Sequence, residues 1–147
     1  MATERVSMLI KKTSLIVEKK TNAVLSPYEL TNAQFRILML LYHKRDKSVR
    51  QIDIENAFAM TNPTVTGILN NLEKKGLVER LYNPEDKRSK LILLTEQAIA
   101  LIPVLRSLGD TIEEQVTSVL TDEEKETLSV LLRKIMKYAG EQHDAKN

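Results

Sequence analysis

Residues 60–95 read MTNPTVTGILNNLEKKGLVERLYNPEDKRSKLILLT, a helix, a tight turn, a strand, a charged loop and a second strand. Thr61 or Asn62 can cap the helix, because a short side-chain oxygen there accepts an otherwise unpaired first-turn N–H. Pro63 falls in the first turn, where its missing donor costs nothing. Val65, Ile68, Leu69 and Leu72 recur at three- and four-residue steps, so one face of this helix is buried. The opposite face carries Asn62, Thr64, Thr66, Gly67 and Asn70, with Lys74 further along. Those side chains are mostly short, neutral and rich in donors and acceptors, where a purely solvated face would more usually be Glu and Lys. Gly76 is expected to end the helix as a left-handed cap.

Leu77 to Tyr82 reads as a strand and Leu91 to Leu94 as its partner. The segment Asn83 to Lys90 between them is too long for a two-residue hairpin and heavily charged. A helix that can lie in a major groove, followed by a basic β-loop that can reach phosphates or a minor groove, is a winged helix-turn-helix. The residues also resemble the MarR (multiple-antibiotic-resistance regulator) transcription factors. The resemblance is carried by Pro63-Thr64-Val65-Thr66, by Leu72-Glu73-Lys74-Lys75-Gly76-Leu77-Val78-Glu79-Arg80, by Asp86-Lys87-Arg88-Ser89 and by Leu94-Thr95. Asp-x-Arg after a Gly-hydrophobic-x-x-Arg strand is far more specific than an isolated helix-turn-helix match.

That resemblance implies double-stranded DNA as a partner, with Arg88 entering a minor groove where A·T-rich sequence concentrates negative potential. Asp86 is then the orienting group, expected to hold an arginine because it is poorly placed facing phosphate. Lys87, Ser89 and Lys90 share the wing tip, while Arg80 and Lys74 are placed for backbone contacts. Thr64, Thr66 and Asn70 are candidate readers of base or phosphate, since Asn pairs bidentately with adenine and Thr offers a hydroxyl and a methyl. Thr64 has a plainer alternative, helping to cap its own helix. Ser48, Arg50 and Gln51, with Asn62 and Pro63, complete the expected DNA-facing set. Three positions depart from the family: Gly67, where many relatives carry arginine, Glu55, where a small residue commonly packs, and Ala59, which replaces a common turn glycine.

The chain has 147 residues, enough for one domain or one domain with long helical extensions. With 42% hydrophobic and 29% charged residues it belongs among globular chains, and 4% aromatics with four glycines favour helix. No apolar run approaches the length of a membrane span, no secretory signal is visible, and a cytoplasmic protein is expected. The absence of cysteine removes disulfides, thiolate metal sites and a thiol oxidant sensor. Residues 1–50 hold ten Lys/Arg against four Asp/Glu (+6), 51–90 six of each (0), and 91–147 six against ten (−4). A polyanion should prefer the N-terminal half and the wing, where Lys74 to Lys90 counts six basic against three acidic residues.

Outside this stretch the pattern is helical. Ala2 to Val24 carries Val6, Leu9, Ile10, Thr13, Ile16 and Val17 on one stripe, and Ser26-Pro27 ends it. Thr31 and Gln34 form a capping box for a helix that buries Phe35, Leu38, Met39 and Leu41. Ser48 and Gln51 suggest another, starting a short helix with Val49, Ile54, Phe58 and Met60 inward. Thr95 should cap a long helix with Ala98, Leu101, Leu105, Leu108, Ile112, Val116 and Val119 close to a heptad seam, bent at Pro103. Thr121 and Glu124 open a final helix with Leu128, Leu131, Leu132, Ile135 and Met136, expected to close at Gly140 before a flexible tail, 141–147.

The expected fold is mainly α: a winged helix-turn-helix over 31–94, with 1–26 and 95–140 forming a helical dimerisation part. The outer helices carry more apolar surface than one small winged unit can cover, which suggests a symmetric dimer over an intramolecular bundle. The residues of an enzyme are missing, because His43 and His143 have no carboxylate partner at recognisable spacing. Glu113-Glu114 and Glu123-Glu124 are adjacent and do not converge on one helix face. No cofactor or metal is expected. The resemblance further implies a small, often aromatic ligand near Tyr28, Phe35 and the start of the Thr95 helix, although both rings could simply fill the core. Two functions stand: a dimeric, signal-responsive transcriptional regulator, expected to be a repressor, on an inverted-repeat operator, or a winged-helix module that docks protein and binds DNA poorly. A protein-docking wing has no need of Lys87, Arg88 and Lys90 together.

Overall fold

The computed structural model describes residues 3–146, and side chains of residues 3–140. In chain order the elements are α1 (Val6–Leu25), a 3-10 turn (Ser26–Tyr28), α2 (Asn32–His43), α3 (Gln51–Phe58), α4 (Asn62–Lys74), β1 (Val78–Tyr82), β2 (Lys90–Leu94), α5 (Glu96–Thr117) and α6 (Asp122–Lys146). The backbone divides into two compact units, Met1–Asp110 and Thr111–Asn147, with the division inside α5.

The first unit holds the helix-turn-helix, the wing and α1. One core joins Leu25 and Leu30 to Ile37, Leu38 and Leu41 of α2, Ile54 of α3, and Val65, Leu69 and Leu72 of α4. Ile92 of β2 and Ala98, Ile102 and Leu105 of α5 close it. The three- and four-residue steps of the sequence thus do place the inner faces of α2 and α4 together. Phe35, Met39, Phe58, Met60 and Ile68 are only partly buried at its margin.

Local chemistry sets most boundaries. Thr31 and Gln34 cap α2 reciprocally at 3.2 and 3.1 Å, and Thr95 accepts the Ala98 N–H at 3.1 Å to start α5. Thr61, rather than Asn62, caps α4. At its other end Gly76 is left-handed (φ +74°), with Leu77 N–H on the Leu72 carbonyl at 2.9 Å and Gly76 N–H on that of Glu73 at 3.0 Å. That is a Schellman ending. The positive φ disfavours any side chain there, and a Cβ at Gly76 would also stand 3.1 Å from Gln97 Oε1, which would have to shift by a few tenths of an ångström.

Several expectations need correction. The Ser48–Gln51 box does not form, because Val49 and Arg50 are committed to the sheet: Ile92 N–H donates to the Val49 carbonyl at 2.8 Å, and Arg50 bridges to Leu91. Arg50 becomes the extended N-cap (φ −102°, ψ 163°), and Asp53 accepts its N–H at 2.8 Å. The wing therefore has a short third edge contributed by Val49–Arg50. Its strands pair antiparallel from Val78↔Leu94 to Tyr82↔Lys90, so β1 starts after Leu77 and β2 one residue before Leu91. α1 starts at Val6, and Ala2 lies outside the described residues.

α5 runs unbroken through Pro103. In the second unit Thr121 and Glu124 cap α6 reciprocally at 2.9 and 3.1 Å. Gly140 does not close α6: the backbone stays helical to Lys146, since a glycine with no tertiary reason to turn weakens a helix by only about 1 kcal/mol. Of the expected tail, Asn147 and the side chains of 141–146 lie outside the described residues. Leu128, Leu131, Ile135 and Met136 are exposed, as are Val6, Leu9, Ile10 and Ile16 of α1. Val119, placed on the long stripe, sits beyond the end of α5 and is 86% exposed. No described helix is long and apolar enough to cross a membrane.

Candidate nucleic-acid interface

α4 is fixed on three sides by polar links to its neighbours. Gln51, at the first position of α3, donates from Nε2 to Thr66 Oγ1 at 2.9 Å and to the Asn62 carbonyl at 3.4 Å. Glu55 accepts from Asn62 Nδ2 at 3.1 Å, adding a further polar link between α3 and α4. Ala59 makes the turn in the left-handed region (φ 52°, ψ 43°), doing with a methyl group what glycine does at less cost. From the wing side, Arg80 donates to the Thr66 carbonyl at 3.3 Å and lies 3.8 Å from Glu73.

These links sort the expected readers. Thr66 is half-buried and gripped through both its hydroxyl and its carbonyl. Thr64 takes its plainer role: its hydroxyl accepts from Thr61 Oγ1 at 2.9 Å, and its N–H donates back to that oxygen at 3.4 Å. Asn70 and Lys74 are exposed and have no intramolecular polar partner among the described residues. Pro63 and Ser48 are exposed too. Arg80, expected on the DNA backbone, is turned inward instead, and its Nε is buried without a hydrogen-bond partner. The bond from its terminal nitrogen to a helix carbonyl ties β1 to α4, with part of its contribution offset by the buried Nε that lacks an acceptor.

The wing loop is shaped by two short turns, one closed by the Asn83 amide and one by the Asp86 carboxylate. Asn83 is buried; its Oδ1 accepts the Glu85 N–H at 3.1 Å and its Nδ2 donates to Ser89 Oγ at 3.1 Å. Asp86 Oδ1 accepts the main-chain N–H of Arg88 at 3.0 Å. Asp86 thus orients the wing through the backbone and not, as expected, by holding a guanidinium. Lys87, Arg88 and Lys90 are left exposed around that turn, while Ser89 is half-buried in its frame.

Arg50 flanks the wing base. Its guanidinium meets Asp53 through two bonds, 3.3 Å from Nε and 3.1 Å from the terminal nitrogen. Hydrogen bonding to Arg50 holds the Asp53 carboxyl below its ordinary value, against the opposing effect of burial. Asp53 in turn raises the Arg50 guanidinium, and Asp86 adds a smaller attraction. Lys75 was not singled out in the sequence: its ammonium reaches back to the Glu29 carbonyl and to Gln34 Oε1. Asp53 could have been found as an acidic residue in the first turn of a helix; the Lys75 link, 46 residues apart in sequence, has no local signal.

Tyr28 and Phe35 have different surroundings. Tyr28 is exposed, whereas the end of the Phe35 ring lies 3.6 Å from where a Gly109 Cβ would stand, packing α2 on α5. The nearby cleft, about 490 Å³, is lined by Glu18, Asn22, Ser26 and Glu29 to Ala33.

Comparison with known proteins agrees with this geometry. Residues 30–90 match the model of the MarR family. Over 120 residues the chain is 32% identical to the multiple antibiotic resistance protein MarR of Escherichia coli K12, spanning 81% of this chain and 82% of that protein. It is 29% identical over 128 residues to the HTH-type transcriptional regulator SarZ of Staphylococcus haemolyticus, covering 87% and 84%. Among solved structures, the S. aureus MepR–DNA complex superposes with a TM-score of 0.81 at 32% identity, covering 93% of this chain and 99% of that one. A MarR mutant from E. coli complexed with operator DNA gives 0.79 at 30% identity, covering 88% and 92%.

Proposed function

Since this chain belongs to the MarR family of winged helix-turn-helix transcriptional regulators, we propose that it represses transcription as a homodimer on an inverted-repeat operator. The observation that carries the reading is the exposed polar edge of α4, Asn70 with Lys74, set beside an ordered wing that presents Lys87, Arg88 and Lys90. The helix reads base edges in the major groove, and the wing reaches the flanking minor groove. MepR and MarR are relatives solved with DNA, and their likeness to this chain supports the same use of its basic side chains.

The second copy is supplied by the apolar faces that this chain leaves exposed on α1 and α6. Residues such as Leu131 and Ile135 in water would be costly, at about 25 cal/mol for each Å² of apolar area. Two-fold symmetry then places two α4 helices in successive major grooves, about 34 Å apart. A signal acts on such a dimer only by favouring one spacing of its wings over another. With DNA as its partner, the site of action is the cytoplasm. An electrophoretic assay on the promoter beside the protein's own gene tests the reading: a discrete shifted complex that unlabelled specific duplex competes away is expected, and a smear competed equally by random DNA contradicts it.

A further inference from the structure

Lys74 and Lys75 end the recognition helix together, and composition alone would assign both to phosphates. The structure separates them. Lys74 projects from α4 with no polar partner among the described residues, while Lys75, the C-cap residue of α4, sends its ammonium across to the junction of α1 and α2. There it meets the Glu29 carbonyl and Gln34 Oε1, the latter at 3.3 Å. Both acceptors are held in place. Glu29 sits in the left-handed region (φ 56°, ψ 35°), closing the 3-10 turn with its N–H on the Ser26 carbonyl at 2.9 Å. Gln34 is 5% exposed, and its Oε1 also accepts the Thr31 N–H at 3.1 Å. Behind them α1 is tied to α2 by Asn22 Oδ1, which accepts the Asn32 N–H at 2.7 Å.

We infer that Lys75 is a positioning residue for DNA recognition, a strut that fixes the C-terminal end of the recognition helix to the α1–α2 junction and not a phosphate contact. A buried amide oxygen and the main-chain carbonyl of a left-handed residue both accept from one ammonium, so the anchorage is fixed on the acceptor side although Lys75 and Glu29 are themselves exposed. The N-terminal end of the same helix is held by Gln51 and Glu55, and its middle by Arg80. At the remaining end Leu72 is buried in the core and Thr95 Oγ1 donates to the Gly76 carbonyl at 2.7 Å, and Lys75 adds the link that sets this end against the α1–α2 junction. Without that link this end keeps its core packing but shifts against the α1–α2 junction, so the helix still meets the DNA and presents Asn70 to the wrong base edge. Lys75 therefore controls the preference for the correct sequence and leaves charge-driven binding alone. This inference rests on the functional reading above.

The test uses the full-length protein with a duplex that the wild type selects from a random pool and a scrambled version of it. Lys75→Met keeps the apolar stem and removes the ammonium; Lys75→Arg restores a cationic donor. Lys75→Met is expected to lose about tenfold on the selected duplex, the equivalent of one base contact, with little change on the scrambled one and an unaltered salt slope. Lys75→Arg should recover most of that loss. Equal losses on both duplexes with a salt slope lower by about one per subunit would make Lys75 a phosphate contact, and equal losses with an unchanged slope would make it merely structural. Either result overturns the inference, as does wild-type affinity in Lys75→Met. A wild type that selects no duplex overturns the functional reading and this inference with it.

Discussion

Ala59→Gly should stabilise this protein, although it removes atoms. Ala59 is exposed and left-handed at the turn between α3 and α4. A Cβ in that conformation crowds the carbonyl oxygen and costs roughly 1–2 kcal/mol. Glycine relieves the crowding, but it enlarges the unfolded ensemble, which takes back about 0.4–1 kcal/mol. No buried surface is lost, because the methyl group already faces water. The balance is a gain of about 0.5–1 kcal/mol, which for a chain of this length raises Tm by about 1–4 °C. The two proteins must be melted at one protomer concentration, since association shifts Tm by mass action. Operator affinity should change by no more than about threefold, because the turn geometry is kept. A Tm that is unchanged or lower would mean that the turn is not strained and that the left-handed alanine is no burden.

Other changes separate the parts of the interface. Arg88→Ala should weaken binding to every duplex and lower the salt slope by about one counterion per subunit, whereas Asn70→Ala should cost about 1–3 kcal/mol on the selected duplex and little on random DNA; a salt titration on both duplexes reads each. The depressed Asp53 carboxyl contributes stability that is present above its ordinary value and lost as pH falls below about 4 toward its folded value. In Asp53→Asn that share of the acid-side loss should vanish, and identical acid melting profiles would refute the pairing. Leu131→Glu with Ile135→Glu should give monomers by sedimentation that no longer bind the selected duplex specifically, and a dimer in spite of both charges would place the interface elsewhere.

What the sequence revealed depended on how far apart the interacting residues are. Thr31 with Gln34, Thr95 and Thr121 with Glu124 act within one turn of helix, so their spacing was enough. Gly76 was legible for the same reason, because a helix ending is a local event. Ser48 and Gln51 had the spacing of a capping box and still failed, since strand pairing of Val49 and Arg50 with β2, some forty residues later, took the backbone first. At the interface the residue types pointed to DNA, but their division of labour lay in tertiary contacts. Arg80 has the residue type of a phosphate contact, but the fold turns its guanidinium onto the Thr66 carbonyl. Glu55 departs from the family pattern in sequence, and only the fold places Asn62 opposite it. Lys74 and Lys75 are indistinguishable as a dipeptide and diverge only because Glu29 and Gln34 lie beneath one of them.

If two copies of α4 and two wings read one inverted repeat, their imprint on the duplex is symmetric. Hydroxyl-radical footprinting of the full-length protein on the selected duplex measures that symmetry. The expected pattern is two protected half-sites related by a dyad, their centres about 34 Å apart, each flanked by a protected minor-groove segment that disappears in Arg88→Ala. A single protected block without symmetry, or protection spread evenly along the duplex, would contradict this arrangement.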